Sequence, residues 1–367
     1  MNAMGPITVG LVGPLPPPSG GMATQTQQLA RLLVDSGIAV KLVQTNAAYR
    51  PPWIERLRGV RALFRLIPYA MRLWHCAGQV DLLHVMANSG WAWHLFAAPA
   101  VWMGRFRGTP VIVNYRGGEA EAFLECQSSW VKPTLRQACA VVVPSAFLEG
   151  VFRRFGVATE VVPNIIDVVR FHPGPARPAG RHIIVTRNLE DIYDIPTALR
   201  AFAVIRRVHP DATLTVAGSG PRRSDLKGLS ETLGVASSVR FAGALDNENI
   251  AELYRSADLV LNPSTADNMP ISLLEAMASG VPIVSTNVGG IPFLVEDNRN
   301  ALLVPARDPT AMASAALRLL GDAHLAARLR ASGLDTAPKF GWPRVRVELY
   351  GVYARALGRK SLEQCAG

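Results

Sequence analysis

"ADLVLNPSTADNMPISLLEAMASGVPIVST", residues 257–286, reads as strand, loop, helix, strand. The runs at 257–263 and 281–286 are short, β-rich and apolar. Between them, Pro270 suits the first turn of a helix, where no N–H is required. Ile271, Leu274 and Ala278 fall at helical spacing, and Gly280 is a natural stop. Two carboxylates stand on this unit. Asp267 lies in the loop before the helix, and Glu275 lies between one and two turns inside it. The backbone N–H groups of residues 270–272 are expected to point out of the helix N-terminus as a ready anion site. A helix with an Asp cap and one solvated Glu accounts for the same residues.

The pattern repeats outward. "ITVGLVG" (7–13), "IAVKLVQ" (38–44), "VDLLHVM" (80–86), "PVIVNY" (110–115), "AVVVP" (140–144) and "EVVP" (160–163) form one set of apolar runs. After the Pro/Gly-rich "FHPGPARPAG" (171–180) a second set follows: "HIIVTR" (182–187), "ATLTVAG" (212–218), "SVRFAG" (238–243), 257–263, 281–286 and "ALLVP" (301–305). Val/Ile/Leu runs separated by helices predict parallel strands buried on both faces. Two sets joined by a linker predict an α/β protein of two doubly wound domains. Sites in such sheets lie beyond the carboxyl ends of the strands.

A chain of 367 residues suits two domains, and 49% hydrophobic with 18% charged residues describes an ordinary globular protein. The net charge of +10 favours anionic partners: nucleic acid, an anionic membrane or phosphorylated substrates. No RNP, helix-turn-helix or zinc-finger signature is present, so no nucleic-acid partner is expected. "WAWHLFAAPAVWMG", from Trp91, is too short for a membrane span and carries His94 and Pro99. The N-terminus lacks a signal-peptide pattern. Cys76, Cys126, Cys139 and Cys365 form no metal spacing and read as reduced cytosolic thiols, which predicts a cytoplasmic protein.

Glycine-rich loops end three strands. "PLPPPSGGM" (14–22) precedes the helical "ATQTQQLARLLVDSG", and Gly20 and Gly21 could let backbone approach a phosphate or sugar closely. "AGSGP" (217–221) and "VGGIP" (288–292) are the others. None is the G-x-G-x-x-G of a dinucleotide site, so hydride transfer is disfavoured. Each alone reads as a tight turn; three on two matched sheets argue against that reading.

"PSTADNMPISLLEAMASGVPIVSTNVGGIP" resembles the signature of the family 4 (group 1) glycosyltransferases. "PPPSGGM", "VVPNIIDVVRF" (161–171), "VTRNLEDIYDIPTALRAF" (185–202), "LTVAGSGP", "VRFAGAL" and "FGWPRVRVELYGVYARAL" (340–357) resemble further family segments in the same order. The resemblance implies a GT-B fold: two Rossmann-like domains facing across a cleft, 1–170 on the acceptor side and 171–342 for the donor, with 343–367 packing back on the first. It implies sugar transfer from a UDP- or GDP-sugar to a glycan or lipid-linked glycan, with retention of configuration. Glu275 would bind the donor ribose. Asp267 would contact donor-sugar hydroxyls, alongside the backbone of Asn268, Met269 and Pro270. Arg187 would pair with the diphosphate, and Gly20 and Gly21 would lie against the donor phosphate or sugar. The loops at Gly218–Gly220 and Phe241–Gly243 would flank the base. No D-x-D motif is present, so no metal is expected, and no cofactor beyond the nucleotide sugar.

The chain departs from the family pattern in three places. Asp267 replaces the first acid of Glu-x7-Glu. The lysine that often follows the arginine is missing, and Tyr193 lies near its place. Arg116 of "NYRGGEAEAF" (114–123) falls near the position of a family histidine. Arg116 reads either as a surface loop residue or as a catalytic arginine facing the cleft. An epimerase of the same fold and a non-catalytic nucleotide-sugar binding protein are the competing functions.

In "RPPWIERLRGVRALFRLIPYAMRLW" (50–74), Trp53, Leu57, Val60, Phe64, Ile67, Met71 and Trp74 form one helical apolar stripe, with Arg58, Arg61, Arg65 and Arg72 beside it. Pro68 is expected to kink the run or split it into two helices. One reading puts the stripe in the core. The other rests it on anionic lipid at the inner face of the cell membrane, beside a lipid-linked acceptor.

Overall fold

The computed structural model describes residues 7–17, 20–49, 61–175 and 180–358. The chain divides into two compact units, Met1–Ile165 with Val345–Gly367, and Ile166–Arg344.

The first unit is built on a six-stranded sheet with the order β2-β1-β3-β4-β5-β6. Its strands are β1 (Thr8–Gly13), β2 (Ala39–Gln44), β3 (Leu82–Ala87), β4 (Val111–Tyr115), β5 (Ala140–Val143) and β6 (Glu160–Val161). All neighbours pair in parallel. Helices α1 (Gly21–Asp35), α2 (Arg61–Ala77), α3 (Ala98–Arg107), α4 (Ala120–Leu135) and α5 (Ala146–Arg154) connect them. Every residue of β3 and β4 is buried, as strands covered on both faces require. Helix α12 (Trp342–Ala356) belongs to this unit from Val345 onward. It buries Val345, Leu349, Val352 and Tyr353, and Arg355 pairs with Glu160.

The second unit carries a sheet of order β12-β11-β10-β7-β8-β9. These strands are β7 (His182–Thr186), β8 (Thr213–Ala217), β9 (Val239–Gly243), β10 (Leu259–Asn262), β11 (Ile283–Thr286) and β12 (Leu302–Val304), again all parallel. The helices are α6 (Ile195–Val208), α7 (Arg223–Thr232), α8 (Asn247–Ser256), α9 (Ile271–Ala278), α10 (Pro309–Gly321) and α11 (Ala323–Thr336). In α6 the buried stripe Ile195, Ala198, Leu199, Phe202 and Ile205 faces the sheet. Arg206 and Arg207 in its last turn complement the helix dipole. In each sheet the strand order switches sides once, between β1 and β3 in one and between β7 and β10 in the other, and such a switch point opens a crevice at the carboxyl ends. Each of the expected apolar runs is a strand among the described residues, and the expected α/β class holds.

Helix α2 departs from expectation. Pro68 does not split it: the helix runs through the proline unbroken, which leaves the kink as the remaining expectation. It turns Tyr69, Leu73, Cys76 and Ala77 inward, while Phe64 (47%), Ile67 (57%), Met71 (68%) and Trp74 (46%) are solvent-exposed. The core reading of the stripe therefore fails over these four residues. Trp53, Leu57, Arg58 and Val60 lie outside the described residues, as do Cys365 and the side chain of Arg61.

Candidate active site

In the second unit the crevice at β7 and β10 gathers the polar groups. Arg187 follows β7 directly. Its Nε and Nη2 donate to Ser264 Oγ at 3.2 and 3.1 Å, and Nη1 donates to Ser272 Oγ at 3.3 Å. Nη2 also forms an ion pair with Asp267, both side chains being largely buried. The guanidinium lies 4.3 Å over the Tyr193 ring, a cation–π contact. Burial lowers the Arg187 pKa. Ser264 is oriented in turn: its Oγ donates to Asn262 Oδ1 at 3.1 Å, and Asn262 Nδ2 donates to Ser285 Oγ at 2.9 Å. Thr265 bonds the Ile192 carbonyl through both N–H and hydroxyl, tying the β10 loop to the turn that carries Tyr193.

The residues after β10 are braced by glycine. Gly290 N–H donates to the Asp267 carbonyl at 2.8 Å. A Cβ on Gly289 would stand 2.2 Å from the Asp267 oxygen, and one on Gly290 1.8 Å from that of Asn268. "VGGIP" is thus a backbone support for the Asp267–Pro270 loop. "AGSGP" supports the other side. A Cβ on Gly218 would meet the Arg187 carbonyl at 2.0 Å, and one on Gly220 the Leu189 carbonyl at 2.4 Å. Gly218 N–H donates to Gly243 O at 2.7 Å, which binds this loop to the end of β9. Phe241–Gly243, expected as a loop, is the last part of that strand.

Pro270 is the N-cap of α9, with φ −66° and ψ 119°, and its carbonyl accepts the Leu273 N–H. Proline carries no N–H, so the expected donor trio of 270–272 reduces to Ile271 and Ser272. Asn268 and Met269 are buried, and the Met269 side chain packs in the core. Glu275 lies three residues beyond Ser272, on one face of α9. Burial raises the Glu275 carboxyl to about 7, against the opposing pull of the Tyr254 hydroxyl and the charges of Arg187 and Arg170. Tyr254 is itself fully buried, 2.6 Å from Thr186 Oγ1 and donating to the Ser272 carbonyl at 3.0 Å.

In the first unit, Gly20 is the N-cap of α1 and Gly21 its first residue. Gly20 is extended (φ −162°, ψ 159°), and among the described residues nothing beyond its chain neighbours lies within 4 Å of where its Cβ would stand. Arg116 follows β4. Its Nε donates to Asn114 Oδ1 at 3.0 Å and its Nη1 to Asn164 Oδ1. Burial lowers its pKa to about 10, so it remains a cation at neutral pH. The surface-loop reading of Arg116 does not fit a side chain bonded on two sides and partly buried.

The structure thus brings Arg187, Asp267, Asn268, Pro270, Glu275 and the Gly218–Gly220 loop together in one unit, and places Gly20, Gly21 and Arg116 in the other. Sequence reasoning missed Ser264, Ser272, Asn262 and Tyr254. Ser272 carries a signal in its spacing from Glu275; Tyr254 carries none, because only the fold brings α8 beside α9.

Residues 19–170 match the model of Glycosyltransferase Family 4, and residues 180–322 that of Glycosyl transferases group 1. A D-inositol 3-phosphate glycosyltransferase of Corynebacterium kroppenstedtii is 28% identical over 225 residues, 56% of this chain and 50% of that one. The enzyme of the same name from Salinispora tropica is 26% identical over 399 residues, 92% of this chain and 82% of its own. The chain thus spans about half the length of the first of these relatives. Among solved structures, the sucrose-phosphate synthase of Thermosynechococcus elongatus superposes with a TM-score of 0.74 at 21% identity, covering 96% of this chain and 99% of that one. Anabaena HepE in complex with UDP and glucose gives 0.74 at 16% identity, covering 95% and 99%. These likenesses show the fold, two Rossmann-like units of the GT-B type. With both units matched in order, the chain belongs to the family 4, group 1 glycosyltransferases.

Proposed function

We propose that this chain is a retaining glycosyltransferase that moves a sugar from a UDP- or GDP-sugar to a glycan or lipid-linked glycan acceptor, without a metal ion. One observation carries the reading: Arg187 is held by Ser264, Ser272, Asp267 and the Tyr193 ring beside the N-terminus of α9. Glycosyl transfer leaves a nucleoside diphosphate, so negative charge grows on the leaving oxygen. A preorganised cation and helix N–H groups aimed at that oxygen lower the barrier. Asp267 balances Arg187 before the donor arrives, and its carboxylate can then turn to sugar hydroxyls. Glu275, once ionised, accepts the ribose hydroxyls. Gly20 and Gly21 lie against the donor phosphate or sugar in this reading, the open space beside Gly20 supporting it, and Gly218, Gly220, Phe241 and Gly243 flank the base. The UDP and UDP-glucose in the HepE complexes support a uridine donor.

The test is a thermal-shift screen of UDP, GDP and ADP, since a ligand that binds only the folded state raises its stability. UDP or GDP should stabilise the wild type and not Glu275→Ala. Equal shifts in both proteins would remove Glu275 from the site.

The exposed face of α2 supports a peripheral position on the inner face of the cell membrane. Leu63, Phe64, Ile67, Met71 and Trp74 are exposed there, and Trp102 and Phe106 of α3 are exposed as well. Neither helix contains an acid, while Arg72, Arg105 and Arg107 do contribute charge, Arg107 lying 4.9 Å over the Trp74 ring. No described helix is long and apolar enough to cross a membrane. An apolar face flanked by arginines suits an anionic lipid surface, each basic group adding about 1 kcal/mol. In liposome sedimentation, binding should rise with anionic lipid, fall with salt, and weaken in Ile67→Gln/Met71→Gln. Equal recovery with neutral and anionic liposomes would contradict it.

A further inference from the structure

A line of polar side chains crosses the first unit from α12 to the loop after β4. Tyr353 Oη lies 2.8 Å from His84 Nδ1, and His84 Nε2 lies 3.0 Å from Asn114 Nδ2. Asn114 Oδ1 accepts from Arg116 Nε, and Arg116 Nη1 reaches Asn164 Oδ1. His84, Asn114 and Tyr353 are buried. Asn164 is fixed through its neighbour: Gln25 of α1 donates to the Ile165 carbonyl at 2.8 Å and accepts the Ile165 N–H at 2.9 Å.

Arg116 sets the direction of every bond in this line. A guanidinium has donors only, so Asn114 must turn its oxygen to Arg116 and its NH2 to His84. His84 Nε2 must therefore accept. The imidazole carries its single proton on Nδ1 and donates it to Tyr353. The other Asn114 orientation would set donor against donor at Arg116. A second proton on His84 would do the same at Asn114, and burial together with the Arg116 charge holds the ring neutral, its pKa about 3. Two of the three guanidinium nitrogens are occupied in this way. Nη2 has no partner among the described residues.

We propose that Arg116 is an anion-binding residue whose Nη2 meets a phosphate oxygen of the substrate, and that Asn114, Asn164 and neutral His84 are its positioning residues, anchored by Tyr353. The inference rests on the reading of this chain as a transferase acting on phosphorylated substrates. The phosphate belongs to the nucleotide or to a phosphorylated acceptor.

Two measurements on the full chain test it. In imidazole 15N NMR, His84 should show the Nδ1–H tautomer around neutral pH, and Arg116→Met should release that constraint and admit the Nε2–H form. A wild-type Nε2–H ring, or a ring unchanged in Arg116→Met, would overturn the network whether or not the protein turns over sugar. In calorimetry, Arg116→Met should bind UDP or inorganic pyrophosphate at least ~10-fold more weakly, as for a lost charge-assisted hydrogen bond. Asn114→Ala should weaken them in the same direction. Weaker UDP binding assigns the phosphate to the nucleotide; unchanged UDP with weaker pyrophosphate assigns it to the acceptor. Unchanged affinity for both would overturn the anion role. Absence of turnover in the wild type, with both results intact, would fail the transferase reading alone.

Discussion

Glu275→Gln should stabilise the unliganded protein at alkaline pH while weakening its hold on nucleotide. Burial raises this carboxyl from 4.5 to about 7. The folded protein therefore binds the proton more tightly than the unfolded chain does. Its contribution is fully present below pH 4.5 and is lost as pH rises through 7. At 1.36 kcal/mol per pKa unit, the ionised form costs on the order of 3 kcal/mol. Residual solvent contact at Glu275 reduces this to about 1–3 kcal/mol. Glutamine keeps the shape and removes the charge. The assay is thermal unfolding of wild type and variant from about pH 5 to about pH 8, which brackets the shifted carboxyl. The two should nearly coincide at the acid end, and the variant should melt higher at the alkaline end, at ~2–4 °C per kcal/mol for a unit of this size. Nucleotide affinity should move the other way: the ribose hydroxyls need an ionised acceptor, so wild-type affinity rises with pH through 7, and the variant loses about 1.5–3 kcal/mol of binding. Parallel melting curves across the pH range, or unchanged nucleotide affinity in the variant, would refute the reasoning.

Arg187→Met should lower kcat by roughly 10²-fold or more, because a lost cation acts at the leaving diphosphate. It also strands the Asp267 carboxylate, so Arg187→Met/Asp267→Asn should regain stability in unfolding assays without regaining turnover. Gly218→Ala puts a Cβ 2.0 Å from the Arg187 carbonyl at φ +151°; a loss of about 3 kcal/mol in denaturant unfolding is expected. EDTA should leave the rate unchanged, and loss restored by a divalent ion would contradict the metal-free reading.

The strands were legible because each is a short apolar run bounded by turn residues. "HIIVTR" and "ADLVLNP" announce β7 and β10, and the polar groups collect just beyond these strands, at Arg187, Ser264 and Asp267. Asp267 and Glu275 were legible because they share one strand–helix–strand unit. Tyr254 was not, since α8 meets α9 only in the folded sheet. The glycines of "VGGIP" and "AGSGP" were legible as close-approach residues, but what approaches them is the chain's own backbone at Asp267, Asn268, Arg187 and Leu189. The stripe on α2 was legible as amphipathic. Which face turns inward was not, because Tyr69, Leu73 and Cys76 compete with it for the same sheet.

The most direct test of the account follows nucleotide and product together. UDP- and GDP-sugars are incubated with glycan and lipid-linked glycan acceptors, and nucleoside diphosphate release and acceptor mass are recorded for wild type and Arg187→Met. The account predicts nucleotide release only when acceptor is present, one sugar added to the acceptor with retained configuration, and loss of both in the variant. Donor isomerised without acceptor, or nucleotide bound and never turned over, would contradict it.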